Sequence, residues 1–298
     1  MNTRKLQFAG AYTAIVTPLR EGRVDEPALE RLMQAQIRGG IDGVVAVGTT
    51  GESPTLSTDE HIHVIELCVK FAKGKLKVIA GTGSNATDEA IHLTKAAEHV
   101  GADAHLQVAP YYNKPSQEGL FQHFHAVARA TKLPVLLYNI PGRCGVDIGV
   151  DTVSRLAHDS VNIVGIKEAG GNPDRVSQLR AALGHNFTIL SGDDALTLPF
   201  MAVGAHGVIS VASNIIPRDV ARMVHTFAQG KAALALKLHD RFHELFKTLF
   251  IETNPAPVKA ALALLGQIED EIRLPLVPVS TASRDRLKSA LKGCGLLK

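Results

Sequence analysis

Short β-branched apolar runs recur along the chain, each followed by Gly, Thr, Pro, Asn or Asp. They predict eight strands, near Tyr12–Thr17, Gly43–Val47, Lys77–Ala80, Ala104–Ala109, Val135–Asn139, Ile163–Lys167, Thr188–Leu190 and Gly207–Ser210. Between them the apolar positions change to helical spacing. Glu26–Arg38 carries Leu29, Leu32, Met33, Gln36 and Ile37 on one side, and Asp59–Phe71 carries Ile62, Ile65, Leu67 and Val69. Glu89–Val100 and Gln117–Ala130 are patterned alike. Thr58 before Asp59-Glu60 and Thr87 before Asp88-Glu89 read as helix starts.

Strands that are apolar on both faces and alternate with helices indicate a parallel sheet covered by helices. Eight such units predict an α/β chain closed into a (β/α)8 TIM barrel. A doubly wound open sheet is the alternative. Its first strand should run into a GxGxxG turn, where this chain has Thr17-Pro18-Leu19. After Ser210 the strand pattern stops, and Pro217–Gln229, Leu234–Phe250, Asn254–Leu265 and Ser283–Leu291 read as helices. Residues 1–216 are therefore expected to form the barrel catalytic domain and residues 217–298 a C-terminal helical extension that is not an independent domain.

Composition narrows the function. Of 298 residues 45% are hydrophobic and 20% charged, enough apolar side chain for one large core. The net charge of +3 comes without any Lys/Arg stripe, aromatics are 5% and Trp is absent, which argues against a nucleic-acid partner. Three cysteines, Cys68, Cys144 and Cys294, have no CxxC or metal-ligand spacing, and so sparse a set fits a reducing, cytoplasmic setting. Arg4 and Lys5 ahead of Phe8–Val16 resemble the start of a signal peptide. The apolar stretch is broken by Gly10 and Thr13 and ends in Thr17-Pro18, so a first strand is the better reading. No run is long and apolar enough for a membrane span.

In a barrel the catalytic side chains gather at the C-terminal strand ends. There the chain has Gly48-Thr49-Thr50-Gly51-Glu52, Pro110-Tyr111-Tyr112-Asn113, Tyr138-Asn139-Ile140-Pro141-Gly142-Arg143, Lys167-Glu168 and Ser191-Gly192-Asp193-Asp194. Lys167 follows Ile163-Val164-Gly165-Ile166, an apolar strand, and alternation puts it on the face of Ile163 and Gly165. A desolvated amine there becomes less basic and can form a Schiff base with a carbonyl. The competing reading is an ion pair with Glu168, Asp193 or Asp194. Tyr138 ends the preceding strand and could exchange protons with the Lys167 adduct, with hydroxyls of Thr49 or Thr50 and Tyr112 as a relay. Thr49-Thr50-Gly51 offers backbone N–H groups for a small carboxylate, or is a plain turn. Arg143 could bind a second carboxylate bidentately, or be solvated.

Thirteen histidines raise the question of a metal. His61 with His63, and His123 with His125, are two apart and point different ways. His239 and His243 share a helix face, but the segment is not HExxH and no third ligand follows, so surface histidines are the expectation. Gly81–Gly83 reads as a turn and helix cap. Cys144, beside Arg143, reads as a small loop residue, the alternative being a reactive thiol.

Together these segments resemble the dihydrodipicolinate synthase (4-hydroxy-tetrahydrodipicolinate synthase) family of pyruvate-dependent class I aldolase barrels, close to N-acetylneuraminate lyase. The resemblance runs from Ala14-Ile15-Val16-Thr17-Pro18 through Gly48–Ser53, Pro110–Pro115, Tyr138–Pro141, Gly165–Ala169 and Ser191–Asp194 to Glu252–Lys259 and Arg273–Leu276. It implies that Lys167 forms the Schiff base with pyruvate, and that Tyr138, Thr49 and a neighbouring subunit's Tyr112 relay protons. Thr49 and Thr50, with the Ile209 backbone nearby, would hold the pyruvate carboxylate. Arg143 would bind the carboxylate of aspartate-4-semialdehyde, which favours the synthase over the sialic acid lyase. The family often has Ser or Thr where Gly142 and Cys144 stand.

The implied activity is a lyase of lysine (diaminopimelate) biosynthesis, without cofactor or metal, as a homotetramer built as a dimer of dimers. Free lysine as feedback inhibitor would use Ser53, His61, Asn85, Glu89 and Tyr111, with Thr58 standing where lysine-sensitive relatives often carry His. The alternatives are another pyruvate aldolase, acting on a sugar acid or keto acid, and a metal-dependent lyase.

Overall fold

A computed structural model describes residues 8–298, so Arg4 and Lys5 lie outside the described residues. Eight parallel strands close a barrel: β1 Gly10–Ala14, β2 Gly43–Ala46, β3 Lys77–Gly81, β4 Ala104–Val108, β5 Val135–Asn139, β6 Ile163–Glu168, β7 Thr188–Ser191 and β8 Gly207–Ser210. Closure is visible in β1, where Tyr12 sits in register with both Gly43 of β2 and Ile209 of β8. An open sheet would leave one of those edges bare. Gly43 is needed there, because a Cβ at that position would stand 2.8 Å from the Tyr12 ring and 2.5 Å from the Lys77 carbonyl.

The strands are buried on both faces, as the unbroken apolar runs require. Tyr12, Val45, Ile79, Leu136, Val164, Leu190 and Ile209 fill the barrel interior. Alternate residues such as Leu137, Ile163, Ile166 and Ile189 pack outward against helices. Ile163 and Lys167 therefore do not share a face, contrary to the simple alternation. The register between β5 and β6 slips by one residue, pairing Val135 with Ile163 but Leu136 with Gly165. The extra residue, Val164, points inward, and beyond it Tyr138 pairs with Lys167.

The helices are α1 Glu26–Gly39, α2 Thr58–Ala72, α3 Thr87–His99, α4 Gln117–Arg129, α5 Pro141–Cys144, α6 Val150–Asp159, α7 Pro173–Leu183, α8 Thr197–Ala202, α9 Pro217–Ala228, α10 Ala232–Thr248, α11 Ala256–Leu264 and α12 Thr281–Gly293. Two starts differ from the sequence reading. Ser57, not Thr58, caps α2, in a capping box with Glu60. Thr87 is the first residue of α3 rather than its cap, and its hydroxyl bonds His123 instead. Helix α9 follows β8 and packs on α1 and β1 on one side and on α10 on the other, joining the barrel to the extension. Among the described residues no helix is long and apolar enough to cross a membrane.

At the N-terminal end of the barrel, Asp42 links three elements. Its Oδ2 accepts from the Ala11 N–H at 2.8 Å and from His225 Nε2 of α9 at 2.7 Å. The bond to Asp42 raises the His225 pKa against desolvation. A raised folded-state value means the stabilisation is full below the unfolded pKa of about 6.5 and fades as pH rises through the folded value. Both side chains are partly exposed, so the effect should stay below about 1 kcal/mol. His225→Gln should accordingly lower the unfolding midpoint at pH 5.5 and leave it near wild type at pH 8.5. An equal loss at both values would mean that packing, not charge, is involved.

Candidate active site

The C-terminal strand ends surround a cavity of about 220 Å³ whose lining includes Thr49, Ser53, Tyr111, Tyr138, Arg143 and Cys144. Backbone strain gathers around it. Val47, Glu52, Tyr112 and Lys114 all have positive φ, and Val47 is β-branched, for which such a conformation is a true outlier.

Lys167 ends an apolar strand inside the barrel and is 6% exposed. Burial strips its ammonium of water and brings the amine down to about 7; the buried Asp194 opposes this and Arg143 adds to it. The amine lies over the Tyr138 ring, 4.2 Å from its centroid. Of the three carboxylates considered as ion-pair partners, Glu168 turns away to Arg175 and Asn139, and Asp193 accepts from the Ala195 and Leu196 N–H groups. Asp194 is the one that acts on Lys167. It is itself held by Ser210 Oγ at 2.5 Å and by the Val211 and Ala212 N–H groups, both at 3.0 Å.

The Tyr138 hydroxyl bonds Thr49, and burial pushes the phenol up to about 12 against the pull of Arg143 and that hydrogen bond. The structure thus brings Lys167, Tyr138, Thr49 and Arg143 together. Tyr112 does not join them within this chain. It is 90% exposed, in a loop where Asn113 Nδ2 donates to the Asn85 carbonyl. Ile209 is fully buried in the barrel interior.

Thr49–Gly51 forms a single 3-10 turn closed by Gly51 N–H to Gly48 and Glu52 N–H to Thr49. Among the described residues no backbone carbonyl takes the Thr49 or Thr50 N–H, as expected at the open start of a turn. The C-terminal extension reaches back to this turn. Asn254 Nδ2 donates to Thr50 Oγ1 at 3.0 Å, and the Asn254 carbonyl accepts from Arg143 Nη2 at 3.1 Å. Asn254 Oδ1 is buried without a hydrogen-bond partner, an acceptor beside two groups suited to carboxylates. Asn254 was not singled out from the sequence. Its only signal was its place in Glu252–Lys259.

A second group adjoins the cavity. Ser53 and Tyr111 line it, Asn85 Nδ2 donates to the Tyr111 carbonyl at 3.2 Å, and Glu89 accepts from Ser84 Oγ. His61 is buried with its Nε2 2.8 Å from the Gly81 carbonyl, and the charge of Glu89 acts on it. The expectation of surface histidines is corrected for His61, His105 and His123, which are all buried, with desolvation lowering each pKa. His239 and His243 lie 5.4 Å apart between ring centroids, and among the described residues no group of three or more His, Cys, Asp or Glu side chains is placed to hold a metal ion. Cys144 is buried, and burial pushes its thiol up to about 11, so it is a small packing residue and not a thiolate.

A sequence profile of the Dihydrodipicolinate synthetase family matches residues 7–294. The chain is 52% identical over 292 residues to the 4-hydroxy-tetrahydrodipicolinate synthase of Persephonella marina, covering 98% of this chain and 100% of that one. The fold superposes with a TM-score of 0.96 on the 4-hydroxy-tetrahydrodipicolinate synthase from the methanotroph Methylacidiphilum fumariolicum SolV, at 57% identity over 97% of this chain and 96% of the other. A dihydrodipicolinate synthase from Cyanidioschyzon merolae, solved with lysine bound, matches at 0.94 and 43% identity, over 97% and 99% of the two chains.

Proposed function

The chain belongs to the dihydrodipicolinate synthetase family, and we propose on that basis that it condenses pyruvate with aspartate-4-semialdehyde to 4-hydroxy-tetrahydrodipicolinate, a lyase step of lysine and diaminopimelate biosynthesis. The observation that carries the chemistry is the buried Lys167 amine, poised near 7 against Tyr138. Neutral Lys167 attacks the pyruvate ketone, and loss of water leaves a protonated iminium. That iminium is the electron sink for removing a methyl proton, which gives an enamine. The enamine carbon adds to the aldehyde, whose oxygen is protonated. The substrate's own amine then displaces Lys167 from the former ketone carbon, closing the ring and freeing the lysine.

Each proton transfer needs a group that both gives and takes. Tyr138 in its hydrogen bond with Thr49 suits this role, and Tyr112, exposed on its own protomer, is suited to complete the relay in a second copy's site. Thr49 and Thr50 take the pyruvate carboxylate, with the Ile209 backbone nearby, and Arg143 takes the carboxylate of the aldehyde. We assign a homotetramer, a dimer of dimers, as the working form. Three buried, unpaired cysteines fit the cytoplasm. A coupled assay with pyruvate and aspartate-4-semialdehyde tests the reading. Turnover with a sugar-acid aldehyde and none with the semialdehyde would place the protein among the other pyruvate aldolases.

Lysine is the proposed inhibitor, at Ser53, His61, Asn85, Glu89 and Tyr111. Glu89 suits an ammonium group, and Tyr111 adjoins Tyr112, so occupancy should act on turnover more than on pyruvate binding. With coupling of about 1–3 kcal/mol, inhibition should be visible at saturating lysine and lost in Glu89→Ala. The exposed Thr58 offers no imidazole and should weaken binding. Wild-type rates and calorimetric heats unchanged at millimolar lysine would refute the site.

A further inference from the structure

We propose that Glu52 and Lys259, an ion pair buried between the Thr49–Gly51 turn and helix α11, are positioning residues that aim the turn at the pyruvate carboxylate. The inference rests on the reading of Thr49 and Thr50 as the carboxylate site.

The geometry is a closed ring. Lys259 Nζ bonds Glu52 Oε1 and also donates to the Thr17 carbonyl at 3.1 Å. Thr17 Oγ1 in turn donates to the Gly51 carbonyl at 2.8 Å, one residue before Glu52. The other carboxylate oxygen of Glu52 accepts the Arg273 N–H at 3.1 Å. The ring ties the segment that follows β1, the turn and the C-terminal extension to one another. Both charged side chains are only 1% exposed. Glu52 also sits at φ 59°, a conformation that a side chain enters at a cost and that its surroundings must hold.

Stability alone is a weak reason for such a pair. Desolvating two charges offsets most of their attraction, and apolar residues of similar volume often serve as well or better. What the pair supplies and an apolar contact would not is direction. Glu52 is fixed at both carboxylate oxygens, and the Gly51 carbonyl just before it is fixed by Thr17, whose own carbonyl is held by Lys259, so the turn is clamped at its C-terminal end. Lys259 is the one charged residue in Ala256-Pro257-Val258-Lys259-Ala260-Ala261-Leu262-Ala263-Leu264 and reaches the turn from more than 200 residues away in sequence.

The test uses the full-length enzyme. The double variant Glu52→Gln/Lys259→Met keeps volume and removes both charges, so neither is left buried and unpaired. Its unfolding midpoint should stay close to wild type. The pyruvate KM, and the pyruvate concentration giving half-maximal borohydride trapping on Lys167, should both rise roughly 10- to 100-fold, as misplacement of a binding group predicts. The KM for the aldehyde at saturating pyruvate should change several-fold less than the pyruvate constants, since Arg143 meets the turn only indirectly, through Asn254, whose side chain bonds Thr50 and whose carbonyl takes the guanidinium. Thr17→Val cuts the same ring without touching a charge, and should raise the pyruvate constants in the same sense by a smaller factor. Unchanged pyruvate constants in either folded variant would overturn the proposal, as would equal changes in both KM values together with a lowered midpoint. Absence of pyruvate trapping in the wild type would instead refute the functional reading on which the proposal rests.

Discussion

Lys167→Ala is expected to lower turnover on the order of 10⁴-fold or more, the scale on which losing a covalent nucleophile is felt. It should also abolish the adduct that borohydride fixes between pyruvate and the wild-type enzyme. Mass spectrometry should place that adduct on Lys167 and nowhere else. The reason is local. A lysine at the end of an apolar strand has lost its water, and the amine falls to about 7 from an ordinary value of 10.5. The neutral form is the nucleophile, so kcat/KM for pyruvate should rise with pH through about 7 and level off above it. Below that value the ammonium cannot attack. Asp194→Asn removes the carboxylate that raises the Lys167 pKa, so the same limb should move to lower pH. An adduct on another lysine, or an active Lys167→Ala enzyme, would end the Schiff-base mechanism.

The barrel was legible because its strands are buried on both faces and so read as continuous apolar runs, while the helices read at their own period. What escaped was whatever depends on three-dimensional closure. Helix α9 has an amphipathic pattern that does not say what it packs on; in the fold it is seated on β1 and α1 and also on α10. Simple alternation puts Lys167 on the face of Ile163, but the strand carries a one-residue slip at Val164, and Lys167 faces inward while Ile163 faces out. Side chains at strand ends, Thr49, Tyr138, Arg143 and Lys167, were found because a barrel delivers all its C-terminal ends to one place. Asn254, Glu52 and Lys259 were not, because their partners lie more than 100 residues away and no spacing announces them. A lysine inside an otherwise apolar helix was the one available hint.

Arg143→Ala should separate the two substrates. The guanidinium lines the cavity and is anchored by the Asn254 carbonyl, which points it without using up its donors. Loss of a charge-assisted contact to a carboxylate costs about 2–3 kcal/mol. That is roughly a 30- to 150-fold fall in kcat/KM for aspartate-4-semialdehyde. Schiff-base formation with pyruvate does not need this contact and should survive. A second effect has a defined sign. The Arg143 charge helps keep the Lys167 amine low and pulls down the Tyr138 phenol. Without it both pKa values rise, so the acid limb of pyruvate trapping should move to higher pH, opposite to the shift expected for Asp194→Asn. Arg143→Lys restores the charge but not the fork, and should recover the position of that limb better than it recovers aldehyde use. If pyruvate trapping at high pH falls as far as aldehyde use, Arg143 is holding Asn254 and the loop in place rather than binding the second substrate.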